Sequence, residues 1–171
     1  MKKILYTLAL AAALTSCVGS YNVEGSSSIT ALDGSKLYLK AIKNNQLKNL
    51  DSCEVVHGEF HFSGTLDSIR MASLYMDDES VMPIVLEKGD IVVKIEAGRQ
   101  IVSGTPLNDS LYVFIEEHNR LSNQMNELSH KQSQMLLDGI DEAAINEQLS
   151  VEAAKIASDE DRLVTKFIEA N

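Results

Sequence analysis

Three residues at alternate positions, His57, Glu59 and His61, form the most metal-like group in this sequence. Alternate side chains of an extended backbone share a face, and two imidazoles with a carboxylate are a zinc ligand set. A solvated hairpin face gives the same spacing, and His57-Gly58 reads as its turn, so no metal is assigned. Asp51-Ser52, Asp67-Ser68 and Asp109-Ser110 each set an acid beside a nucleophile. Neighbouring strand residues point to opposite faces, so turn and capping duties explain these pairs better than catalysis does. Asp77-Asp78-Glu79 is acidic but lacks the spaced oxygen ligands of a calcium loop. Cys53 belongs to no C-x-x-C pair and is read as a buried thiol serving as a small hydrophobe. Met71, Met76, Met82, Met125 and Met135 are scattered core filler. From these residues follow no catalytic residue, no cofactor and no metal, and the chain is read as a non-enzyme.

Cys17 is different, because its neighbours specify its chemistry. Lys2 and Lys3 open the chain, Ile4 to Leu14 is mostly apolar, and Leu14-Thr15-Ser16 precedes the cysteine. A basic start, a short apolar run and a small-residue cut site are the layout of an export signal. With cysteine at the cut, it resembles a bacterial lipoprotein signal, in which Cys17 is the lipid attachment residue. The apolar run is too short to span, since a spanning helix needs about 20 residues. The acyl chains would hold the mature chain on the membrane surface. No acidic cluster follows in Val18-Gly19-Ser20-Tyr21, so the periplasmic face of the envelope is the expected address.

The chain has 171 residues, with 15 basic against 25 acidic ones and a net charge of −10. Loss of Lys2 and Lys3 with the leader takes this from −10 to −12. Such a surface repels phosphate, which excludes nucleic acid as a partner. The expected partners are the membrane, through the N-terminal lipid, and a protein or a second copy met through the helices.

Positioning these residues requires two kinds of element. Between Tyr21 and Ser103 the sequence alternates in short runs. Leu37, Leu39 and Ala41 oppose Lys36, Tyr38 and Lys40, and Phe60 and Phe62 oppose Glu59, His61 and Ser63. Further strands are expected at Leu50–Val56, Ile69–Met76, Met82–Glu87, Asp90–Glu96 and Ile101–Val102, with turns at Asp33-Gly34, Lys43–Gln46 and Lys88-Gly89. Val55 and Val56 must face opposite sides. Gly25, Ser26, Ser27 and Ser28 form a polar stretch.

From Thr105 the period changes. Thr105 suits an N-cap and Pro106 the first helical position. Leu107, Leu111, Phe114, His118, Leu121, Met125, Leu128, Gln132 and Met135 follow a 4-3 spacing, interrupted only by His118 and Gln132. Asp138-Gly139 ends that helix, and Asp141 caps the next. The second stripe is Ile145, Leu149, Ala153, Ile156, Leu163 and Phe167, broken by Ser158-Asp159-Glu160-Asp161. The expected fold class is α+β: an antiparallel sandwich or barrel-like domain of seven to eight short strands, then a long antiparallel helical hairpin. The expected divisions are a signal at 1–16, a lipidated tether at 17–20, a sandwich at 21–104 and the hairpin at 105–171. The ending at Phe167-Ile168-Glu169-Ala170-Asn171 suits a natural terminus and equally a chain cut before a further domain.

The signal, Leu50-Asp51-Ser52, the string His57 to Gly64, Leu86-Glu87-Lys88-Gly89-Asp90 and Gly104-Thr105-Pro106-Leu107-Asn108-Asp109 occur together. In these the chain resembles the domain of unknown function found at the N-terminus of many Bacteroidota envelope lipoproteins. The resemblance runs from about Tyr21 to Leu121. It implies a β-sandwich-like module followed by helices, and it tilts the address toward the outer membrane. In such proteins a thioredoxin-like, peroxiredoxin-related domain commonly follows, which implies as the alternative role an accessory part of a thiol-disulfide system. The redox residues would lie in that following domain, so none is transferred here.

Overall fold

The alternating half folds into two four-stranded sheets. The computed structural model describes residues 19–171; the leader and Cys17 lie outside them. The strands are β1 (Gly19–Ser27), β2 (Lys36–Lys43), β3 (Gln46–Glu54), β4 (Glu59–Leu66), β5 (Arg70–Met76), β6 (Glu79–Leu86), β7 (Gly89–Glu96) and β8 (Arg99–Ser103). One sheet runs β4-β1-β7-β8 and the other β3-β2-β5-β6. All neighbours are antiparallel except β1 and β7, which are parallel. Two helices follow, α1 (Pro106–Leu137) and α2 (Glu142–Ala170), so the class is α+β.

Inward residues of both sheets make one core. Val23, Leu37, Leu39, Phe62, Leu74, Ile84, Ile91 and Val93 are fully buried there. Of the two valines before the hairpin turn, Val55 is inside and Val56 is 55% exposed. The turn takes positive φ at His57 (54°) and Gly58 (76°) and closes only the single bridge Val56–Glu59, because the chain crosses here from β3 in one sheet to β4 in the other. β1 runs on through the polar residues Gly25, Ser26 and Ser27. Gly25 pairs with Phe60, and a Cβ at that position would collide with the Phe60 ring. Gly64 opposite Tyr21 repeats the device, so the aromatic across the strand covers each glycine.

The 4-3 seam divides between two cores. Leu107, Leu111, Tyr112 and Ile115 of α1 and Phe167 of α2 pack on the sandwich. Leu121, Leu128, Ile145, Leu149 and Ile156 form a second core between the helices alone. The two interruptions of the stripes explain each other. His118 Nδ1 lies 2.6 Å from Glu160 Oε1 across the hairpin, at the step between the two cores. Gln132 is exposed.

α1 runs from one end of the sandwich to the other and beyond it. Its first turn meets Glu87, next to the start of β7. About one and a half turns later Tyr112, and one turn beyond it Glu116, bond Arg99 at the opposite end of β8. The twenty-one residues from Glu117 to Leu137 then extend the hairpin about 30 Å further.

Candidate functional site

The string Gly104 to Asp109 forms a junction of polar side chains. Thr105 occupies the N-cap position with extended backbone, but its hydroxyl caps no amide and instead accepts from Asn108 Nδ2 at 2.8 Å. The sheet supplies the cap. Glu87, buried at the end of β6, accepts from the amides of Leu107 (2.7 Å) and Asn108 (3.1 Å). A carboxylate at a helix N-terminus satisfies orphan donors and meets the positive end of the dipole. Asn108, also buried, lies against the open edge of β6. Its Oδ1 accepts from Val85 N (2.9 Å) and its Nδ2 donates to Val85 O (2.7 Å), as a neighbouring strand would. Asp109 accepts from Gly104 N at 3.0 Å. Gly104 has φ 94°, and a Cβ there would meet the Asp90 carbonyl, so glycine is required. The string thus locks helix to sheet, and the sequence signal for it was strong. That Glu87 was the cap was not legible, because the two residues are twenty apart.

A second cluster sits at the sandwich mouth where β1 begins. Tyr21, Lys43, Asp51, Asp67 and Arg70 line a cleft of about 450 Å³. Asp51 folds back to accept from Ser52 N at 2.7 Å, beside the bulge that displaces Leu50. Asp67 pairs with Arg70 across the β4–β5 loop. Its own amide and then the Arg70 charge hold the Asp67 carboxyl below its ordinary range. Arg70 Nε is buried with no partner among the described residues. Burial raises the Tyr21 hydroxyl above its ordinary value, the Asp51 charge adds to this, and Arg70 opposes it. The cluster can present cations to an anionic group; as a proton-transfer device it lacks an arranged acid and base.

The remaining sequence candidates separate. His57 is a turn residue outside the strand alternation. His61 faces Glu24 of β1 at 3.5 Å, and Glu59 pairs with Ser26. Among the described residues no three His, Cys, Asp or Glu are placed to hold a metal. Asp77-Asp78 is the β5–β6 turn, with Asp77 at φ 53°. Cys53 is half-buried, more open than the buried thiol read from the sequence. It lies at the β3 edge, opposite Leu37. Burial pushes its thiol up; the His61 backbone lowers it and Asp51 raises it, both by less. Arg99, Arg120 and Arg162 line a cleft between the helices and β8, each paired with a carboxylate. No described helix is long and apolar enough to cross a membrane.

A family model for a domain of unknown function, DUF4369, matches residues 21–111. The match ends at Leu111, the last buried helical residue in the sandwich core. No curated protein matches the chain.

Proposed function

The chain belongs to the DUF4369 family, and on that premise we propose that it is a cell-envelope lipoprotein acting as a non-catalytic binding or scaffolding module. Lipid on Cys17 would hold it at the periplasmic face, with the outer membrane favoured by the resemblance of the sequence. One observation carries the scaffolding role: the distal hairpin has its own core and stands clear of the sheets. Around its tip, Leu136 (49%), Leu137 (82%) and Ile140 (40%) are exposed. A stiff arm ending in apolar side chains suits contact with another protein. Two of the acids that stand beside a serine are engaged in bonds that hold the backbone: Asp51 accepts from Ser52 N and Asp109 from Gly104 N.

Thiol exchange at Cys53 does not belong to this reading, since burial favours the protonated thiol over the reactive thiolate. Photo-crosslinking in living cells tests the role. A crosslinker at Leu137 should give discrete protein adducts that one at Glu79, at the edge of the sandwich, does not. Equal labelling at both positions, or turnover by the purified protein that a single substitution abolishes, would overturn it.

A further inference from the structure

We propose that the end of the sandwich where β1 begins lies on a phospholipid surface, with Ile42, Leu47, Ile69 and Met71 at the headgroup boundary and the helical hairpin directed away. This rests on the lipid at Cys17 proposed above. Cys17 precedes Gly19 by two residues, a reach of at most about 7 Å. Gly19 pairs with Leu66, so the anchor is tied beside the β4–β5 loop. That loop and the strand after it present Ile69 (61% exposed) and Met71 (55%). Ile42 (73%) and Leu47 (51%) oppose each other across the β2–β3 hairpin. Register places the two pairs together. Lys40 lies opposite Ser73, and two more residues along the antiparallel pair bring Ile42 level with Met71. Four exposed apolar side chains thus gather at the end where a lipid on Cys17 would hold the sandwich to the membrane.

Charge points the same way. Lys43, Lys48, Arg70 and Lys88 stand at this end, against Asp51, Asp67, Asp90 and the buried Glu87. Residues 117–161 carry ten carboxylates and three Lys or Arg, so the distal arm is repelled by an anionic surface, while this end, Asp109 included, is close to balance. Lys43, Lys48 and Lys88 at this end can face lipid phosphates while the apolar side chains enter the boundary.

The test uses the full lipidated chain with Cys53→Ser, carrying Met71→Cys or Leu137→Cys labelled with bimane. Each is reconstituted into phosphatidylethanolamine–phosphatidylglycerol vesicles containing doxyl-labelled lipid. The chain should float with the vesicles, the probe at position 71 should lose about half of its emission, as expected at a boundary some 5–10 Å deep, and the probe at 137 should keep its emission. Adding Ile42→Asp and Leu47→Asp should restore the emission at 71, and a probe at Leu47→Cys gives an independent reading. Flotation with equal emission at 71 and 137 would overturn the docking and leave the anchor standing. Protection of position 71 in cells but not in these vesicles would assign the patch to a protein and overturn the proposal. A chain that does not float would overturn the anchor and the docking together.

Discussion

The two halves of the helical hairpin obey the same 4-3 spacing, yet they are held by different physics. The half nearest the sheets is fixed by buried polar bonds, Glu87 to the first amides of α1 and Asn108 to the edge of β6, and it adds Leu111 to the sandwich core. The distal half has a narrow apolar core between two helices and exposed polar faces. A buried, fully paired polar network specifies one geometry, because any other arrangement strands its donors and acceptors. An apolar seam alone specifies less. The His118–Glu160 pair stands where one regime gives way to the other.

Breaking the lock should have the largest effect. Asn108→Ala leaves the N–H and C=O of Val85 without partners and should cost about 2–4 kcal/mol. Denaturant unfolding should show the sheets and the helices weakening together. Leu128→Ala removes a leucine from the distal core and should cost about 2–3 kcal/mol there. Hydrogen exchange should quicken between residues 121 and 156 while the sheet amides keep their protection; loss of protection in both regions would merge the two halves into one unit. His118→Ala, at a pair that is half exposed on one side, should cost less than about 1 kcal/mol and diminish further in high salt. The smallest effect is alkaline. Because burial raises Tyr21 in the folded state, its contribution is intact below the ordinary tyrosine value of 10.0 and is lost as pH climbs through the raised one. Tyr21→Phe should flatten that decline in a pH series of melting temperatures.

Much of this comparison was legible in the sequence. Alternation at Leu37-Leu39-Ala41 and Phe60-Phe62 gave strands and inward faces, and the seam from Leu107 to Met135 gave the helix, with both of its interruptions. The unread parts depend on residues that are distant along the chain. The sequence proposed Thr105 as the cap, whereas Glu87 is the cap, brought there by the β6–β7 turn. Gly25 to Ser27 are poor in strand formers, and only Phe60 lying over Gly25 accounts for their pairing. The parallel placement of β1 beside β7 has no local signature at all. The mouth cluster was equally hidden, because Tyr21, Asp51 and Arg70 come from three strands.

An anchored sandwich with a projecting arm depends first on the chemistry of Cys17. The direct measurement is the mass of the N-terminal peptide of the mature protein isolated from bacterial envelopes. The account predicts a peptide that starts at Cys17 and carries the added mass of acyl chains. A free Cys17 thiol, or a mature chain that begins elsewhere, would contradict it.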